Sequence, residues 1–278
     1  MVMVRHLRWF VVLGVLVTLF TARLSAQASI VFVTDDRGNV GRYDTGSGSG
    51  TALGSLTTNF TINQIIGMAF DYDANRLLLF DRYENKVYAM DATTGSSSLL
   101  FTSGSVVFQG GAVLNGLVYG IDENNQTLAA FDFAGVNQNL SGPTFDDHIH
   151  GLGVIPEKQE LFYIGSSSGA RVIGTDGTPG AVLLDSNVIP NVSYEDVAFF
   201  NGDYLVAPYE QAIYLVDGLD GTQSTFLNDT QLAAMGVTSS TSGVAVLQAV
   251  PEPGTWALMI TGLVVVAFSL VRRQLRRR

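Results

Sequence analysis

From residue 30 to residue 247 the chain alternates short apolar runs with turns rich in Gly, Asn, Asp and Thr. A small or acidic residue followed by apolar ones recurs at Gly67-Met68-Ala69-Phe70, Gly111-Ala112-Val113-Leu114, Gly151-Leu152-Gly153-Val154, Asp196-Val197-Ala198-Phe199 and Gly243-Val244-Ala245-Val246, with spacings of 44, 40, 45 and 47 residues. A turn and second run follow each of the first four: Asn75–Phe80, Asn115–Gly120, Gln159–Ile164 and Asn201–Val206. Third runs such as Lys86–Asp91 and Ala212–Asp217 come after a polar turn, and fourth runs such as Ser98–Phe101 and Ala181–Leu184 complete the unit. Runs of four to six residues rich in β-branched and aromatic side chains, bounded by turn formers, predict strands.

Four short strands per unit of 40–47 residues is the sequence signature of propeller blades. Four complete units begin at 67, 111, 151 and 196, and the fifth start at Gly243 has too little chain left to finish a blade. The N-terminal stretch supplies the remainder, because Ile30–Thr34, Asn39–Asp44 and Thr51–Leu56 are three strands without an inner one. Joining Gly243–Leu247 to them predicts an all-β, five-bladed β-propeller closed by strands from both ends of the chain, with no open sheet edge at the seam. A six-bladed ring is the alternative, should a long loop hide a degenerate blade.

The two ends of the chain break this pattern. Arg5 and Arg8 precede an apolar stretch from Trp9 to Phe20, and Ala26-Gln27-Ala28 gives a small-x-small pattern, which together predict a signal peptide over 1–28 cleaved before Ser29. At the other end Gly254 to Val271 is eighteen residues, about 27 Å as a helix and long enough to cross a bilayer core. Trp256 stands where an interfacial anchor belongs, and Arg272, Arg273, Arg276, Arg277 and Arg278 would hold the far end in the cytoplasm. The expected organisation is 1–28 signal peptide, 29–249 propeller and 250–278 tail.

Charge sharpens the contrast between ends and middle. Residues 29–250 carry seven basic against twenty-four acidic side chains, a net charge of −17, while the whole chain is at −10. So acidic a region, without a basic patch, argues against nucleic acid as a partner. The chain has no cysteine, which excludes disulfides, a thiol nucleophile, an iron–sulfur centre and Cys-ligated zinc.

Pro251-Glu252-Pro253, the short helix and the terminal arginine cluster, in that order at the end of the chain, resemble the PEP-CTERM sorting signal of Gram-negative bacteria. The resemblance covers about the last 29 residues. It implies recognition by an exosortase, cleavage near Pro-Glu-Pro after an inner-membrane intermediate, and transfer to the surface in strains that make exopolysaccharide and biofilm matrix. An ordinary retained anchor is the plainer reading of the same residues. Within the repeats, Tyr88-Ala89-Met90-Asp91-Ala92-Thr93-Thr94-Gly95 resembles the third strand and turn of quinoprotein-type and YVTN-type propeller repeats, a repeat type shared by enzymes and binding proteins.

Candidate chemistry is sparse. Phe145-Asp146-Asp147-His148-Ile149-His150 would set Asp146, His148 and His150 on one face of an extended segment, and Glu195 and Asp196 begin the corresponding strand of the next blade. These five residues are candidate ligands for a divalent metal at one mouth of the channel. A polar, water-bonded channel is the alternative use of the same side chains. Asp71-Tyr72-Asp73-Ala74-Asn75 alternates oxygen ligands as a calcium loop does, without the remaining positions of an EF-hand. Two functions from different classes therefore stand: a non-enzymatic surface or matrix protein displaying a propeller that binds glycan or protein, and an extracellular metal-dependent hydrolase or lactonase.

Overall fold

In the computed structural model, residues 29–145, 149–165, 169–185 and 194–248 are described. The expected signal peptide and C-terminal helix, Pro251-Glu252-Pro253, Trp256, the arginine cluster, Asp146 and His148 lie outside the described residues. The chain divides into two compact units, Met1–Leu247 and Gln248–Arg278. Among the described residues no helix is long and apolar enough to cross a membrane.

Each apolar run pairs antiparallel with its neighbour in sequence. Blade 2 is β4 (Ile65–Asp71), β5 (Arg76–Asp81), β6 (Lys86–Asp91) and β7 (Ser97–Thr102); blade 3 is β8 (Phe108–Leu114), β9 (Leu117–Asp122) and β10 (Thr127–Phe131). Blade 4 is β11 (Ile149–Ile155), β12 (Glu160–Gly165), β13 (Gly169–Ile173) and β14 (Pro179–Leu184), and blade 5 is β15 (Tyr194–Phe200), β16 (Asp203–Pro208), β17 (Ile213–Val216) and β18 (Gln223–Leu227). Blade 1 is made from both ends of the region. In it β19 (Thr241–Leu247) pairs with β1 (Ile30–Asp35), followed by β2 (Asn39–Asp44) and β3 (Ser49–Ser55), with Ile30 opposite Leu247 and Val33 opposite Val244. The architecture is a five-bladed propeller, and no sixth sheet is present among the described residues.

The first two strands of each blade read as nearly unbroken apolar runs because both of their faces are buried, whereas outer strands such as β3 and β14 are largely exposed. Alternation then decides which interface each side chain fills. In β5, Leu77 and Leu79 pack with Phe32 and Val40 of blade 1, whereas Leu78 and Phe80 pack with Phe108 and Val118 of blade 3. Similar clusters join blades 3 and 4 around Tyr119 and Tyr163, blades 4 and 5 around Phe162 and Tyr204, and blades 5 and 1 around Val31 and Leu205. Five interfaces for five blades leave no gap in the ring.

The turns carry the chemistry their residues predict. Asn75, Asn115, Gln159 and Asn201 all have φ between 48° and 55°, turning the first hairpin of blades 2 to 5 through the left-handed region that Asn tolerates best. Asp91 Oδ1 accepts from the backbone N–H of Thr93 at 2.9 Å and of Thr94 at 2.7 Å, and Asp44 and Asp217 close their turns in the same way.

Three local features depart from the regular pattern. Gly110, not Gly111, stands level with Gly67, because Gly111 pairs with Gly120 as Met68 pairs with Leu79. Among the described residues blade 3 has three strands where four per unit are predicted. After Phe131 the side chain of Asp132 accepts from the N–H of Ala134 and Val136 and turns the chain away, and the polar stretch Asn137-Gln138-Asn139 offers little to bury on an outer strand. Lastly, a short helix α1 (Asp229–Ala234) precedes β19, capped at Asn228 by a reciprocal bond pair with Gln231, and Met235 after it fills the space left by Gly41 and Gly50.

Candidate functional site

The five inner strands β19, β4, β8, β11 and β15 pack side by side around the propeller axis. Aligned by pairing register, they read Thr241-Ser242-Gly243-Val244, Ile65-Ile66-Gly67-Met68, Phe108-Gln109-Gly110-Gly111, Ile149-His150-Gly151-Leu152 and Tyr194-Glu195-Asp196-Val197. Four of the five third positions are glycine, and close approach explains it. A Cβ on Gly67 would lie 2.7 Å from the Cα of Gly110, and one on Gly151 would lie 2.8 Å from the backbone nitrogen of Val197. The strands nearly touch at this level, which constricts the channel.

Asp196 occupies the fifth of these positions and closes the constriction with its side chain. Its Oδ2 accepts from the N–H of Met68 at 2.8 Å and of Val244 at 3.0 Å, so one carboxylate links inner strands of blades 5, 2 and 1. Asp196 is fully buried, and desolvation pushes its carboxyl well above the usual range against the opposing pull of these N–H donors. Its Oδ1 has no hydrogen-bonding partner.

On one side of the constriction the second positions gather Ser242, Ile66, Gln109, His150 and Glu195. Gln109 Nε2 lies 3.4 Å from His150 Nδ1, joining blades 3 and 4. Burial pushes the Glu195 carboxyl up to about 7, the nearby Arg82 guanidinium pulls it down, and Glu123 raises it again. Arg82 is itself engaged by Glu123 through both of its carboxylate oxygens. The turns at this end also carry two exposed aromatic rings, Tyr83 at 64% and Tyr209 at 45%, and the Tyr209 hydroxyl donates to Asp36 Oδ2 at 3.4 Å.

Beyond the constriction the channel changes character. A cavity of about 40 Å³ is lined by later residues of all five inner strands, among them Met68, Phe70, Val113, Val154, Phe199 and Val246. The hydroxyl of Tyr72 at its rim donates to the carbonyl of Val246 at 2.7 Å. Both β1 and β19 have their chain ends here, at Ile30 and Leu247.

Of the five candidate metal ligands, His150, Glu195 and Asp196 lie on inner strands at the polar end, and Asp146 and His148 are outside the described residues. Among the described residues no group of three or more His, Asp or Glu side chains is placed to hold a metal. Asp71 does not offer a calcium loop: its Oδ1 accepts from the N–H of Asp73 and Ala74, and its Oδ2 accepts from Arg76 at 2.8 Å. Sequence reasoning missed Gln109 and Ser242. Their signal was present as the residue before the recurring glycine, but the one-residue shift at Gly110 put Gln109 out of line.

Comparison with known proteins agrees with these two parts of the chain. Residues 249–277 match the family described as PEP-CTERM protein-sorting motif. No curated protein matches the chain. One chain in the crystal structure of a nidogen–laminin complex is similar in fold, with a TM-score of 0.55 and 12% identity over 78% of this chain and 98% of that one. A structural-genomics protein of unknown function from Bacteroides thetaiotaomicron has a TM-score of 0.49 and 14% identity over 70% of this chain and 54% of that one. The sorting motif implies an exported protein processed by an exosortase.

Proposed function

We propose that this chain is a cell-surface or extracellular-matrix protein that displays its propeller as a glycan-binding module. Signal peptide 1–28 is removed on export, the Arg-flanked helix within 250–278 holds an inner-membrane intermediate, and exosortase cleavage near Pro251-Glu252-Pro253 delivers residues 29–249 to the surface. The sorting motif over 249–277 is the observation that carries this reading. The polar end of the propeller supports the choice of ligand. Two exposed tyrosine rings can stack on the apolar faces of sugar rings, and the carboxylates of Asp36, Glu123 and Glu195 with the Arg82 guanidinium can bond hydroxyls around them. The exopolysaccharide made by the host is the ligand this reading favours.

Replacing Pro251, Glu252 and Pro253 by alanine in the native host tests the sorting step. Cell fractionation is expected to find the variant accumulating in the inner membrane and lost from the surface. Unchanged surface display would overturn the sorting account.

A further inference from the structure

Three side-chain oxygens on the inner strands are buried without a hydrogen-bonding partner: Asp196 Oδ1, Gln109 Oε1 and Ser242 Oγ. Their residues are 0%, 4% and 1% exposed. All belong to the second and third positions of the inner strands, the levels at which the glycines draw the strands together. The remaining polar atoms of Asp196 and Gln109 are committed, Asp196 Oδ2 to Met68 and Val244 and Gln109 Nε2 towards His150.

The chemistry of these oxygens restricts what can satisfy them. An amide oxygen only accepts, an ionised carboxylate only accepts, and a serine hydroxyl can accept. Three unpartnered acceptor oxygens on the inner strands, in a region of net charge −17, exclude an anion. Arg82, the cation nearest Glu195, is held by both oxygens of Glu123 and does not fill the gap. Water could also satisfy these lone pairs, but a cation would in addition place positive charge beside the buried Asp196 carboxylate. Carboxylate, amide and hydroxyl oxygens without a thiolate are hard ligands, which suit a cation that accepts varied oxygen geometry and several retained waters.

We infer that the polar end of the axial channel binds a calcium-class divalent cation through Asp196 Oδ1, Gln109 Oε1 and Ser242 Oγ, with the Glu195 carboxylate at its rim. The cation supplies the charge that lets both carboxylates remain ionised inside the channel. It also ties blades 5, 3 and 1 together at the constriction. The inference does not depend on the sorting or glycan-binding reading.

The test uses the full-length protein, purified in detergent, stripped with EDTA and titrated with calcium chloride. Gln109→Leu and Ser242→Ala remove one oxygen each without unpairing a backbone group, and circular dichroism checks that they fold. About 10 mM calcium is expected to raise the thermal midpoint of the wild type by about 5 °C. Calorimetric affinity is expected to fall about tenfold or more in each variant, as lost metal ligation commonly requires. No calcium-dependent shift in the wild type would overturn the inference, since water alone would then fill the site. Equal affinity in the wild type and both variants would also overturn it, by assigning the ion to surface turns.

Discussion

The two ends of the axial channel are made by the same five strands, yet they are built to opposite rules. Past the constriction, apolar positions face one another, Phe70 stacks on Phe32 at 5.7 Å, and the Tyr72 hydroxyl finds the Val246 carbonyl. At the other end, amide, hydroxyl, imidazole and carboxylate groups occupy four of five equivalent positions, and three buried inner-strand oxygens lack partners. Burial of that kind costs stability, whereas the apolar end gains it. Where one fold repeats the same strand five times and satisfies its polar groups at only one end, the unsatisfied end is where a ligand belongs.

The largest effect should come from the residue that divides the ends. Asp196→Ala leaves the N–H groups of Met68 and Val244 buried without their acceptor, and urea unfolding in EDTA is expected to show a loss of about 4 kcal/mol. Asp196→Asn keeps an acceptor oxygen and should lose less. At the apolar end Phe70→Ala removes a ring that is 6% exposed, and the same assay should register a loss of about 3 kcal/mol. Gly67→Ala, whose Cβ meets the Gly110 backbone, should cost about 2 kcal/mol through overpacking of the constriction. Gln109→Leu is the sharpest contrast: in EDTA it should change stability by about 1 kcal/mol or less, because it removes an oxygen without a partner and only the long 3.4 Å contact of Nε2 with His150. A large loss from Gln109→Leu in chelator would place the polar end among the structural parts of the propeller and erase the distinction.

The alternating burial of β5 explains why much of this fold is legible in the sequence. Strands buried on both faces announce themselves as apolar runs, and Asn or Gln at the left-handed position marks the first hairpin of blades 2 to 5. The closing blade follows from strand arithmetic alone, as the pairing of Phe32 with Ala245 bears out. Blade 3 resisted for a physical reason: its double glycine, Gly110-Gly111, offers two equivalent alignments, and only pairing with Gly120 decides between them. The helix at Asp229 was illegible because six residues carry too short an apolar period, and tertiary packing of Leu232 and Met235 holds it. At the site, Asp196 stood out as the acid in a glycine's place, but its backbone bonds could not be read from spacing. They depend on strands of blades 2 and 1 meeting it across the axis.

Glycan binding, the proposed function, tests most directly whether the polar end is the working end. Wild-type protein, the double variant Tyr83→Ala with Tyr209→Ala, and Tyr72→Phe at the apolar rim would be compared on one immobilised polysaccharide. Both changed tyrosines of the double variant are exposed, so its stability should stay within about 0.5 kcal/mol of wild type. The expected result is binding by the wild type and by Tyr72→Phe, with binding lost in the double variant. Binding retained in the double variant and lost in Tyr72→Phe would contradict the account and move recognition to the opposite end of the channel.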